Sequence, residues 1–162
     1  MRRLLGIILV AITTGFASAA SYAAGEVMFE RKLEAAQAGD VEAQYDVGYR
    51  YEKGRGTEED DELAFEWYNK AADRGLDKAE YKVGMFYLEG ISVERNSVKA
   101  KAWLEKAAGK GYPPAQCELG KLYADAAGGE NFQLAMDWLQ KAQDNGYAPA
   151  TMEIRKVRKK LN

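Results

Sequence analysis

Ala64-Phe65-Glu66-Trp67-Tyr68-Asn69-Lys70-Ala71-Ala72 returns as Ala100-Lys101-Ala102-Trp103-Leu104-Glu105-Lys106-Ala107-Ala108, and again as Ala135-Met136-Asp137-Trp138-Leu139-Gln140-Lys141-Ala142. The three tryptophans stand 36 and 35 residues apart. Other columns keep the same step: Gly39, Gly75, Gly111 and Gly146; Ala43, Ala79, Ala115 and Ala150; Gly48, Gly84 and Gly120; Tyr51, Tyr87 and Tyr123. A period of this length with fixed glycine and aromatic positions marks stacked modules, none of which can bury its apolar face alone.

Each unit holds two helical patterns. In the first, helix A, Ala43, Val47, Gly48 and Tyr51 fall on one face of a helix from about Glu42 to Lys53. In the second, helix B, Leu63, Ala64, Trp67, Tyr68, Ala71 and Ala72 share a face, and Gly75 ends the helix as a left-handed cap. The next units place their A helices at Lys78 to Glu89 and Pro114 to Asp125, and their B helices at Ser97 to Lys110 and Phe132 to Asn145. Asp77 with Glu80 reads as a capping box, and Pro114 and Pro149 suit a first helical turn. Glycine inside a helix costs about 1 kcal/mol against alanine, so Gly48, Gly84 and Gly120 need a common reason, which close packing against a neighbouring helix supplies. Trp67, Trp103 and Trp138 read as core fillers beside that contact, because the strict spacing favours structure over a stacked ligand platform.

Before the repeats stand Met1-Arg2-Arg3, the apolar run from Leu4 to Phe16, and the small residues Ala17-Ser18-Ala19-Ala20-Ser21. The order is that of a secretory signal peptide over residues 1–24, cleaved between 19 and 24, with an apolar run too short to span a bilayer. Periplasmic or secreted location is therefore expected, with no stable membrane insertion after cleavage. Removing Arg2 and Arg3 from 23 basic residues against 25 acidic ones takes the net charge from −2 to −4, which does not suit a nucleic-acid partner. With Cys117 as the single cysteine an internal disulfide is excluded, and its place in the column of Tyr45, Tyr81 and Met152 makes it a small apolar filler.

Val47-Gly48-x-x-Tyr51, Val83-Gly84-x-x-Tyr87 and Leu119-Gly120-x-x-Tyr123, joined to the Ala-x-x-Trp-x-x-Lys-Ala segments, resemble the Sel1-like repeat family, a relative of the tetratricopeptide repeats. The resemblance runs from about Leu33 to Met152 and implies an all-α fold, a right-handed α/α superhelix of about three helix-pair repeats. On this reading a capping helix occupies 25–41, the repeats 42–77, 78–113 and 114–148, and a basic capping helix 149–162. Arg155 and Arg158 stand where glycine and tyrosine belong, as expected of an end that shows a polar face to water.

The resemblance further implies that the A helices line a concave groove for a protein or peptide partner, and that exported members are regulators, immunity proteins or envelope adaptors, mostly without catalysis. Helical geometry then points Tyr45, Tyr49, Glu52 and Lys53, Tyr81, Met85, Leu88 and Glu89, and Cys117, Lys121, Ala124 and Asp125 into the groove. Tyr49, Met85 and Leu88 are the strongest candidates for partner contact, with Lys121 beside them. Tyr45 and Tyr81 have a second reading, as packing between successive A helices. Glu58 to Glu62 reads as a solvated helix start, with a docking site as the alternative, and Arg155 to Lys160 as a basic helix end that suits the dipole, with a contact to anionic lipid or an acidic partner as the alternative.

No catalytic set is expected. The chain has no histidine, which removes imidazole acid–base work, histidine-dependent triads and histidine zinc sites. Some cysteine-rich relatives are linked to β-lactams, which keeps a cell-wall or β-lactam-acting enzyme as the alternative. Yet Ser92 is followed by Arg95 and Ser97 by Ala100, so no Ser-x-x-Lys exists. Neither a cofactor nor a metal is expected, and a monomer is.

Overall fold

The computed structural model describes residues 16–125 and 131–161, and side chains from residue 24 to 160 within them. Eight helices follow one another: α1 Phe16–Gln37, α2 Val41–Lys53, α3 Asp61–Asp73, α4 Asp77–Glu89, α5 Ser97–Gly109, α6 Pro113–Asp125, α7 Phe132–Asp144 and α8 Pro149–Leu161. Extensive packing joins consecutive helices, with α6 against α8 in addition. The product is an all-helical solenoid in which α2/α3, α4/α5 and α6/α7 are the A/B pairs, α1 stands as a B-type helix before them, and α8 is an A-type helix after them. The leader expected over residues 1–24 lies outside the described residues up to 15, and the remainder falls in the first turns of α1.

Local chemistry sets the helix ends. Asp60 and Asn96 cap α3 and α5, accepting backbone N–H groups of Leu63 and Lys99 at 2.9 Å, and Asp40 caps α2 through Ala43 N–H at 2.8 Å. Asp60 thus gives the acidic run 58–62 a definite structural task. α4 departs from expectation. Its N-cap is Leu76, with no side-chain bond; Asp77 is already helical and accepts only from Lys78 N–H, so the capping box with Glu80 does not form. Glu80 is instead buried, and its carboxylate accepts from the Lys110 ammonium at 2.6 Å.

That position is a column of its own. Gln44, Glu80 and Gln116 are the buried polar residues of the A helices. The Gln44 and Gln116 amides donate to the carbonyls of Ala36 and Ala108 in the last turn of the preceding B-type helix, each at 3.2 Å. Glu80 has no amide to repeat the bond, and its second oxygen is left without a partner.

The seam within each pair is built on glycine, but the residue it meets is the one after the tryptophan. A Cβ on Gly48 would lie 2.8 Å from the Tyr68 ring; on Gly84, 2.9 Å from Leu104 Cγ; on Gly120, 2.7 Å from Leu139 Cγ. Tyr68, Leu104 and Leu139 have no exposed surface at all. The tryptophans sit one residue, or about 100°, round the helix. Trp67 is buried, while Trp103 and Trp138 are half-buried, and Lys70, Lys106 and Lys141 lie over the three rings at 3.7, 3.8 and 4.2 Å. The lysine stems thereby cover one ring face in every repeat. Between pairs, Phe65 of α3 stacks on Phe86 at 5.6 Å and meets Tyr87 edge-on at 5.5 Å, and Phe29 of α1 meets Tyr51 at 5.2 Å.

Candidate functional site

The A helices α2, α4 and α6 present one continuous surface on the side away from the B helices. Tyr45 is half-buried there, its ring 5.3 Å from that of Tyr68 and overlain by the Lys78 ammonium at 4.4 Å. Burial, with a contribution from the nearby Tyr112 hydroxyl, pushes the Tyr45 hydroxyl up to about 12. Tyr81 is also half-buried and packs against Tyr112 at 5.4 Å, with its hydroxyl raised chiefly by burial and then by Glu118. These two rings are built into the wall by their contacts with Tyr68 and Tyr112. Tyr112 and its equivalent Tyr147 precede α6 and α8. Sequence reasoning missed them, although Leu76, Tyr112 and Tyr147 form a column just ahead of α4, α6 and α8.

Met85 and Leu88 differ from that pair, whereas Tyr49, like Tyr45, packs against the cluster around Tyr68. Tyr49 is half-buried under the Arg55 guanidinium at 5.1 Å. Met85 and Leu88 are half-buried, and neither belongs to any of the hydrophobic clusters of the core. Lys121 on α6 is half-buried and paired with Glu118 at 2.8 Å. Cys117 and Ala124 do not line the groove as expected, and Cys117 instead takes its other expected role of small apolar filler: both are buried in a cluster with Ala150, Ile154 and Val157 of α8, which covers this end. Burial, then Glu118, pushes the Cys117 thiol up to about 11, so it stays protonated and unreactive at neutral pH.

Glu52 organises the middle of the surface. Its carboxylate accepts from the Tyr68 hydroxyl at 2.6 Å and from Lys82 of the next repeat at 2.7 and 2.9 Å, and pairs with Lys53 at 2.9 Å. Burial alone raises this carboxyl, but the hydrogen bonds from Lys82, Tyr68 and Lys53 outweigh it and hold Glu52 at about 2, below its usual 4.5. A depressed carboxylate stabilises the fold above its unfolded value and loses that contribution as pH falls from about 4.5 to about 2. Solvent screening at this partly open site trims the full linkage value to about 2 kcal/mol. Glu52→Gln is therefore expected to lower stability at pH 7 by about that amount and to flatten the acid limb of the stability curve, read by urea titration from pH 7 down to pH 2. An unchanged limb would show that the network contributes nothing.

Among the described residues no group of three or more acidic or cysteine side chains could hold a metal, and no helix is long and apolar enough to cross a membrane. The surface offers raised tyrosine hydroxyls, neutralised ion pairs and exposed apolar edges, which suit the grip of a polypeptide rather than proton transfer.

Fold and surface define an α-solenoid of helix pairs with an aromatic-lined A-helix face. The family model of the Sel1 repeat matches residues 41–76, 77–112 and 113–147, and the chain belongs to that family. Repeats of this kind serve in general as non-catalytic scaffolds for protein interaction. No curated protein matches the chain at a significant level. Among solved structures, c5321, a protective antigen of uropathogenic Escherichia coli with an SLR fold, superposes with a TM-score of 0.80 at 24% identity, over 85% of this chain and 30% of that one. A Sel1 repeat protein from Oxalobacter formigenes gives 0.71 at 30% identity, over 85% and 57%. The immunity protein Pa5087 of Pseudomonas aeruginosa gives 0.59 at 26%, over 88% and 58%. The chain thus spans between 30% and 58% of the length of these proteins.

Proposed function

We propose that this protein is an exported, non-catalytic binding protein whose A-helix surface takes up a protein or peptide partner, in an immunity, regulatory or envelope-adaptor role. One observation carries the reading: Met85 and Leu88 of α4 are half-buried apolar side chains outside every core cluster, and half-buried Tyr49 of the preceding A helix and the anchored rings of Tyr45 and Tyr81 accompany them. Partly exposed apolar groups on a preorganised wall are the chemistry of a binding hot spot. The likeness to an immunity protein supports a neutralising role, and the leader-like residues 1–24 support export.

The test has two arms. Periplasmic and cytoplasmic fractions probed for the tagged chain locate it, and recovery with an intact Met1 end from the cytoplasm would overturn export. Capture of partners from the periplasm by wild type and by Tyr49→Ala/Leu88→Ala then reports the surface. The double variant is expected to bind its partner more weakly by over ~1 kcal/mol at an unchanged melting temperature, whereas Cys117→Ala retains binding. Full binding by the folded double variant would move the site off the A-helix surface.

A further inference from the structure

α8 carries a second surface of different chemistry. Its inner face, Ala150, Ile154 and Val157, is buried against α7 and α6. Directly opposite, Met152, Arg155 and Lys159 form a stripe at i, i+3 and i+7, flanked by Arg158. Met152 is 61% exposed, and the three cations are exposed. The neighbouring Lys156 and Lys160 are neutralised by Glu153 at 2.7 Å and Asp125 at 2.9 Å, whereas Arg155, Arg158 and Lys159 make no ion pair among the described residues.

The repeat register says what this face is. Arg155 occupies the column of Gly48, Gly84 and Gly120, which in each earlier pair meets the following B helix. Met152 occupies the column of Tyr45, Tyr81 and Cys117, against which the start of the next A-type helix packs. On α2, α4 and α6 the glycine position of this stripe meets the following B helix; on α8 no described residue covers it.

We propose that this end face of α8 docks an acidic amphipathic helix of a partner protein. The centre of the face has the place of a helix seat, because the position of Arg155 meets a helix in three preceding repeats. Its charge selects acids: three cations that pair with no described residue surround one apolar side chain, on a chain whose net charge is −2. The stripe spans two turns, about 10 Å, which matches acidic residues at i, i+3 and i+7 of a helix laid along it. A second copy adding its own repeat is disfavoured, since Arg155 fills the space that a bare glycine backbone must leave open for a B helix. This face rests on Arg155, Arg158 and Lys159, none of which the A-helix reading uses, so the failure of either leaves the other standing.

Fluorescence anisotropy with a labelled synthetic helix, bearing Glu at i, i+3 and i+7 around one Leu, tests the proposal. A scrambled peptide of identical composition and vesicles of phosphatidylglycerol serve as comparisons. Saturable binding is expected, weakened at least tenfold in Arg155→Glu/Lys159→Glu at an unchanged melting temperature, with amide shifts on titration confined to residues 149–160. Absence of binding, equal binding to the scrambled peptide or to the variant, or a preference for the vesicles would each overturn it.

Discussion

Gly84→Leu is expected to destabilise the protein by about 3 kcal/mol or more, the largest effect of any single substitution considered. A Cβ alone at this position would stand 2.9 Å from Leu104 Cγ, 3.1 Å from its Cδ2 and 3.3 Å from the Ala100 carbonyl oxygen. Leu104 is fully buried and the carbonyl belongs to the helix backbone, so neither can step aside without parting α4 from α5. A leucine brings three more carbons into the same space. The gain in helix propensity, at most about 1 kcal/mol, has the wrong sign to explain a loss. Gly109 gives the control: it ends α5, has nothing within 4 Å of a built Cβ, and Gly109→Ala should be neutral or slightly stabilising. Urea midpoints of the two variants read out the contrast, and an unmoved midpoint in Gly84→Leu would remove that residue from the interhelical seam.

Leu104→Ala carries the second large effect, a loss of about 3 kcal/mol from lost burial and the cavity left opposite Gly84. It should exceed the loss in Trp103→Ala, although tryptophan is the larger side chain. Trp103 is half-buried, and one face of its ring is covered by the mobile stem of Lys106 rather than by backbone. Removing it exposes surface that water and the lysine can partly reclaim, for a cost of about 2 kcal/mol. Paired denaturation curves decide the order, and a reversed order would return the tryptophan to the centre of the core.

The repeat was legible because columns of glycine, alanine and aromatics recur over three units, and because Gly75 and its equivalents punctuate the helices. The occupant of each seam was not. Tryptophan is the rarest and largest residue of the motif and draws the eye, yet helix phase turns it aside and hands the deepest position to Tyr68, Leu104 and Leu139, a column that is tyrosine once and leucine twice and so shows no invariant residue. Asp77 and Glu80 fit a local capping pattern, but Glu80 is claimed by Lys110 from 30 residues further on, beyond any local window. On the candidate surface, helical spacing put Tyr49, Met85 and Leu88 off the packing face, and all three are half-buried. It misplaced Cys117 and Ala124, because an internal pattern cannot show that α8 closes over α6.

Folding kinetics follow from the connectivity. Since extensive packing joins consecutive helices, most native contacts close short loops, and low contact order favours folding in microseconds to milliseconds. Such an array can nucleate at any pair and grow outward, its stability being a chain of neighbour couplings rather than a property of one centre. The α4/α5 pair is the middle link of that chain. Loosening it leaves on either side a fragment with a single complete repeat, fewer than the three or more that an array needs to stand, so unfolding that starts there should spread to both ends in one cooperative step.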